Sequence, residues 1–246
     1  MTKALYTKPF LSLHGQMAQL KSRGMKFADE AKALHLLKNV GYYRFSGYWY
    51  PLLVNRETHV FKSGATFESA FNLYKFDREL RKLIIGELEK IEVAVRTQMT
   101  YSLSVAHGPF WLDDETLFAN PVKYIATLDK INSEMRRSDE DFISWLHGLT
   151  YIRNICAHHA RLWNRFLQVQ PLFPRRMQHT WISIEGLSNR SMYYILSMIV
   201  YFLNTVNPKH TFRQKIGNLL RKYPNVDACA MGFPVGWYTE PLWQIV

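Results

Sequence analysis

The residues best suited to chemistry lie within residues 144–165, which read SWLHGLTYIRNICAHHARLWNR. Here Arg153, Asn154 and His158 bring a guanidinium, an amide and an imidazole close together along the chain. A histidine takes or gives a proton near neutral pH, and an arginine stabilises negative charge that develops on phosphate oxygens. An amide orients the imidazole or binds a phosphate oxygen. Because RNA supplies its own nucleophile, the 2′-hydroxyl, these residue types suit cleavage of RNA without a metal ion.

The apolar residues around this motif recur at three- and four-residue steps, which is typical of an amphipathic helix. The pattern predicts one continuous helix from Phe142 to Trp163. A polar face beside its apolar seam is predicted to hold Asn154, His158, Arg161 and Arg165. Arg153 and His158 are five residues apart, so they diverge by about 140° on an ideal helix. An ordinary exposed helix face would show the same spacing, and the spacing alone does not separate the two interpretations.

The elements before the motif are also helical by their apolar spacing. Short helices are predicted at Leu13–Lys21 and Asp29–Asn39. Residues 41–51 follow and read GYYRFSGYWYP, which we interpret as an aromatic plug in the core rather than a platform for stacking bases. A loop or short hairpin at 54–65 leads into a long amphipathic helix that begins at Phe67 and ends near Ala106.

The elements after the long helix complete an all-α prediction. Helices are expected at Val122–Arg137 and Thr211–Lys222, and Pro224–Val246 is expected to be irregular. The most apolar run, Met192–Val206, is shorter than the roughly 20 residues of a membrane-spanning helix, so it is predicted to be a buried core helix. The expected organisation is an N-terminal helical and aromatic subdomain (1–65), a main helical domain (66–225) and an irregular tail (226–246).

The charge of the chain is positive and uneven. The formal net charge is +11, and residues 151–246 carry eleven Lys and Arg against three Asp and Glu. Such a surplus favours a polyanionic partner, nucleic acid first and an anionic membrane second, although ordinary solubility charge is the alternative. The candidate RNA-binding residues are His159, Arg161, Arg165, Arg175, Arg176, Arg136, Arg137, Arg213 and Arg221.

Cysteine and histidine usage argues against several other classes of protein. Cys156 and Cys229 are the only cysteines, so the sequence predicts neither a disulfide framework nor a zinc site. The nine histidines show no metal-ligand spacing, and no metal or cofactor is expected. The first residues lack the apolar stretch of a secretory signal, which favours a cytoplasmic protein without a membrane segment.

The string RNICAHHARLWNR closely resembles the signature of the Abi-type abortive-infection proteins, the AbiD/AbiF-like group of bacterial phage-defence proteins. Residues 8–24, 41–51 and 76–101 are similar to that family's N-terminal helix, aromatic segment and long central helix. The resemblance therefore extends from about residue 8 to about residue 225. It departs just before the motif, where family members carry a further segment that this chain lacks.

This resemblance implies a HEPN-like helical bundle with a small N-terminal helical subdomain and a long central helix. The HEPN motif, an arginine and a polar residue followed by a histidine, maps onto Arg153, Asn154 and His158. The resemblance implies a metal-independent endoribonuclease that leaves 2′,3′-cyclic phosphates, a composite site shared by a homodimer, and a toxin or effector role in phage defence. A small structured non-coding RNA is an implied partner. The alternatives are a non-catalytic RNA-binding module and, less favoured, a membrane-associated effector.

Overall fold

The structure is a computed structural model and describes residues 10–114, 117, 139–175, 177 and 179–244. In these residues the chain is mostly helical, and the predicted all-α class is confirmed. The α-helices, numbered in chain order, are α1 Leu13–Ser22, α2 Glu30–Val40, α3 Tyr42–Trp49, α4 Phe67–His107, α5 Asp139–Ala157, α6 Met192–Val206 and α7 Phe212–Lys222. The strands β1 Leu53–Asn55 and β2 Val60–Phe61 form an antiparallel hairpin. The helix predicted at Val122–Arg137 lies outside the described residues.

The chain divides into two compact units at Phe76 and Asp77, and α4 begins in the first unit and continues in the second. In the first unit, the Ser12 hydroxyl accepts the N–H of Gly15 at the start of α1. The Asp29 carboxylate accepts an N–H in the same way at the start of α2. These side chains satisfy amide groups that have no partner within the helix, which explains why both helices begin where the sequence predicts.

The aromatic segment forms α3 and packs into the core of the first unit. Phe45 is fully buried, and its ring centroid lies 5.1 Å from that of Phe67 and 5.5 Å from that of Tyr74. Tyr48 and Trp49 are also buried. The interpretation of this segment as a core plug is therefore confirmed for Phe45, Tyr48 and Trp49, whereas Tyr43 and Tyr50 are exposed.

The second unit is built around α6, which is buried along nearly its whole length. Trp145 of α5 packs against it, with ring centroids 6.0 Å from Tyr194 and 5.8 Å from Tyr201. The predicted core helix at Met192–Val206 is thus confirmed. Within the described residues, no helix is both long and apolar enough to cross a membrane.

The C-terminal stretch is irregular, as predicted, but it is packed onto α6. Trp243 is buried, stacks against Tyr193 with ring centroids 5.8 Å apart, and donates its indole N–H to Ser197 Oγ at 3.0 Å. On α5, Gly148 allows Pro171 to approach the helix closely. A Cβ at this glycine would lie 2.6 Å from Cγ of Pro171. These contacts fix the helix that carries the motif.

Candidate active site

The helix that carries the motif is shorter than its apolar pattern indicates. The sequence predicts a continuous helix to Trp163, but α5 ends at Ala157 and the prediction is wrong. Arg161 and Arg165 therefore do not share a helical face with His158, as the spacing had predicted. They belong instead to an irregular segment, residues 159–167, which we call the post-motif loop.

Backbone geometry at the end of α5 explains why the helix stops there. His159 adopts a left-handed conformation with φ of 55°. Its N–H donates to Cys156 O at 3.1 Å, and the N–H of Ala160 donates to Ile155 O at 3.0 Å. This pair of bonds is a Schellman motif, which usually has glycine at the left-handed position. Because the sequence has histidine there, it carries no ordinary stop signal.

Two buried charged residues of α4 hold the post-motif loop. Asp77 is fully buried, and its Oδ1 accepts the N–H groups of Leu162 at 2.9 Å and Trp163 at 2.6 Å. Its Oδ2 forms an ion pair with Arg81, which is 5% exposed and also donates to Ala160 O at 3.2 Å. The loop therefore finds on α4 the hydrogen-bond partners that a longer helix would have supplied internally.

Sequence reasoning missed Asp77 and Arg81, although a signal exists. The two residues are four apart, and each directly follows a buried apolar residue of α4, Phe76 and Leu80. Opposite charges at this spacing normally lie on an exposed helix face. Their place at the margin of the apolar seam could have indicated a buried pair with a partner elsewhere in the chain.

Arg153 and Asn154 lie in the last turns of α5, His158 directly follows its last residue, and all three are exposed. The N–H of His158 donates to Asn154 O at 2.9 Å, so the helical hydrogen-bond pattern continues to His158 and the two side chains share a face. Arg153 points about 140° away from His158 on such a helix. Its Nε lies 3.9 Å from Glu92 Oε2 on α4. One chain thus brings Asn154 and His158 together and directs Arg153 towards α4.

A cleft of about 160 Å³ lies beside Arg153, between α4 and α5. Its apolar wall is formed by Leu88, Ile91, Val95, Leu146 and Leu149. Four polar residues complete the lining: Glu92, Arg96, Thr150 and Arg153. Glu92 and Arg96 form an ion pair with each other. The Arg153 side chain is 44% exposed and that of Arg96 is 71% exposed, so both guanidinium groups can reach an anion in solvent. The cleft therefore combines an apolar wall with a cationic rim.

The structure places the predicted RNA-binding residues in different settings. His159, Arg161 and Arg165 lie in the post-motif loop. Arg175 is exposed and pairs with Glu140 at 3.0 Å. Arg221 is exposed on α7 and bonds Asn218. Outside the described residues lie Arg136, Arg137 and Arg176.

Arg213 belongs to a partly buried polar network. Its Nη2 donates to Asn204 Oδ1 at 2.6 Å, and the same oxygen lies 3.0 Å from His210 Nε2. The N–H of Phe212 donates to His210 Nδ1 at 3.2 Å, so the imidazole accepts on one nitrogen and donates on the other. Burial, reinforced by the Arg213 guanidinium, lowers the pKa of His210 to about 4. This histidine is therefore neutral near pH 7 and stabilises the start of α7.

The cysteine nearest the motif is unsuited to nucleophilic chemistry. Cys156 is buried, and burial raises the pKa of its thiol to about 12. A thiol reacts as its thiolate, which this environment disfavours. Cys229 is exposed. Among the described residues, no cluster of three or more His, Cys, Asp or Glu side chains is arranged to hold a metal ion.

Comparison with known proteins gives one finding. A family model described as Abi-like protein matches residues 35–144 and 129–164, which together span more than half of the chain. The second matched range contains Arg153, Asn154 and His158. No curated protein and no solved structure matches the chain.

Proposed function

This chain belongs to the family of Abi-like proteins, and we propose that it is an endoribonuclease that acts as a toxin or effector in abortive-infection phage defence. The proposed reaction needs no metal ion, takes RNA as substrate, and occurs in the cytoplasm. One observation carries the proposal. His158 is exposed beside Asn154 at the fixed end of α5, within the range that the family model matches.

The proposed chemistry uses groups that the motif supplies. A base removes the proton of an RNA 2′-hydroxyl, and the 2′-oxygen attacks the adjacent phosphorus. The bond from phosphorus to the 5′-oxygen breaks, and an acid protonates that oxygen. The products are a 2′,3′-cyclic phosphate and a 5′-hydroxyl. His158 is the proposed acid or base, Asn154 orients it, and Arg153 stabilises the charge that develops on the phosphate oxygens.

The divergence of Arg153 and His158 supports a site made by two copies of the chain. On one helix the two side chains point about 140° apart, so they do not converge on one phosphate. In a twofold dimer, each motif would face its counterpart. Arg153 of one copy could then contact the same phosphate as His158 of the other. We therefore propose a homodimer as the active form.

The decisive experiment compares the wild type with His158→Ala and with His147→Ala. His147 is also exposed on α5 but lies outside the motif, so it is a matched control. Each protein is incubated with total bacterial RNA in EDTA, and the 3′ ends are mapped. We expect cyclic phosphates from the wild type and the control, and no cleavage by His158→Ala. Equal cleavage by all three proteins would reject His158 as a catalytic residue.

A second candidate function is a non-catalytic module that holds a small structured RNA. The ion contact between Arg153 and Glu92 favours it, because this arginine already has a carboxylate partner away from His158. In this case RNA affinity should fall steeply with salt, and His158→Ala should leave the affinity unchanged. RNA that co-purifies with the wild type, without cleavage under any condition, would favour this module over the nuclease.

A further inference from the structure

Phe166 carries an exposed aromatic ring in the post-motif loop. It is 68% exposed, whereas Leu162, Trp163 and Leu167 of the same loop are buried. The loop thus has an apolar side that packs against the protein and one large apolar side chain that points away from it. Single exposed hydrophobic residues are common, so exposure alone does not identify a site.

The second observation is a guanidinium group held against this ring. Arg190 Cζ lies 4.9 Å from the centroid of Phe166, a cation–π distance. Its Nε and Nη2 both donate to Gln170 Oε1, at 3.2 and 2.8 Å. A backbone hydrogen bond also links the two segments, because the Leu167 N–H donates to Arg190 O at 3.3 Å. The ring is therefore supported from one side while much of its surface remains accessible.

The backbone beneath Phe166 is also fixed. Asp77 holds the N–H groups of Leu162 and Trp163, and Leu167 is anchored to the backbone of Arg190. A fixed loop loses little conformational entropy when a ligand binds. Since Phe166 lies eight positions after His158, their Cα atoms are at most about 28 Å apart. One RNA strand could contact both.

The charge around the ring indicates which ligand fits. Residues 158–175 contain three arginines and no carboxylate residue. Arg165 directly precedes Phe166, and its Nη1 bonds the carbonyl of Arg161 at 3.3 Å. An accessible aromatic face within a cationic segment is the combination that binds single-stranded nucleic acid, because bases stack and phosphates attract the cations.

We propose that Phe166, supported by Arg190, is a stacking site for an unpaired base of the RNA strand that reaches His158. This inference rests on the proposed function for its ligand class and adds a preference for single-stranded RNA. It assigns a binding role to two residues outside the motif.

The test measures binding rather than cleavage. Fluorescein-labelled 2′-O-methyl oligouridylate cannot be cut through its 2′-oxygen, and an abasic oligomer of equal length keeps the phosphates but has no bases. Fluorescence anisotropy compares the wild type, Phe166→Ala, Phe166→Trp and the control Phe10→Ala. Phe10 is 91% exposed in the first unit. We expect Phe166→Ala to weaken binding of the oligouridylate about tenfold, and binding of the abasic oligomer by less than twofold.

The outcomes distinguish the stacking site from a contact between copies and from the proposed nuclease. Retained affinity in Phe166→Trp and Phe10→Ala would support stacking. Equal affinity of Phe166→Ala and wild type for the oligouridylate would overturn the stacking site and leave the proposed nuclease standing. Loss of self-association in Phe166→Ala, measured by sedimentation, would assign the ring to a contact between copies instead. If the wild type binds neither probe at low salt, both the stacking site and the RNA-directed function are overturned.

Discussion

Replacing Asp77 by alanine should test how the post-motif loop is held. The change removes the acceptor of two backbone N–H groups, those of Leu162 and Trp163, and leaves the guanidinium of Arg81 buried without its carboxylate. Removing one partner of a buried ion pair costs about 3–5 kcal/mol. Each orphaned N–H adds about 1–3 kcal/mol, partly recovered where the loop relaxes towards water.

We therefore expect Asp77→Ala to lower the free energy of unfolding by about 4–6 kcal/mol. Arg81→Met leaves both N–H bonds of Asp77 in place and should cost about 3–4 kcal/mol. The double variant leaves no buried charge and should therefore cost no more than Asp77→Ala alone. The coupling free energy between the two residues should then be at least about 3 kcal/mol.

The assay is urea denaturation followed by tryptophan fluorescence, with circular dichroism as a second probe. Arg96→Met is the matched control, because its ion pair with Glu92 has the same spacing on the same helix but is exposed. It should cost less than about 1 kcal/mol. If Asp77→Ala does not fold, Asp77→Asn, which keeps an acceptor oxygen, replaces Asp77→Ala in both the single and the double variant. Additive losses in the double variant would refute the coupling between Asp77 and Arg81.

Three further predictions concern other parts of the second unit. Neutral His210 stabilises the fold above pH about 6.5, and this stability should be lost as the pH falls towards 4 because the unfolded chain takes up the proton first. Between pH 7 and 4, the free energy of unfolding measured with urea should therefore fall by about 3 kcal/mol more in wild type than in His210→Gln, and an equal fall in both proteins would contradict this. Gly148→Ala places a methyl group against Pro171 and should lower the free energy of unfolding by about 1–3 kcal/mol, whereas an unchanged free energy would show that Pro171 moves aside at no cost. Glu92→Gln removes the carboxylate beside Arg153, so anisotropy should show tighter binding of single-stranded RNA, and unchanged affinity would show that the contact does not compete with phosphate.

Local signals predicted most of the helical fold. The caps at Ser12 and Asp29 and the long seam of α4 depend on residues near one another in sequence, and the structure follows them. The burial of α6 also follows from its composition, because so apolar a run is too short to cross a membrane.

The candidate site was less predictable because its boundary depends on a distant contact. The apolar residues Leu162 and Trp163 are buried, as their spacing indicates, but they reach the core from a loop. Asp77 lies 85 and 86 positions before them and supplies the bonds that allow the helix to end early. Periodicity records which side chains are buried, and it does not record which backbone groups have found partners elsewhere.

The contrast between the two cysteines offers a way to observe the motif without altering it. Cys156 lies two residues before His158 and is buried, whereas Cys229 is accessible. A maleimide dye should therefore label Cys229 in the native protein and give a single reporter position without mutagenesis. Slow labelling of Cys156 would then time the transient opening of the C-terminal turn of α5. The labelling rate of Cys156 thus reports how often the end of α5 opens, without any change to the sequence.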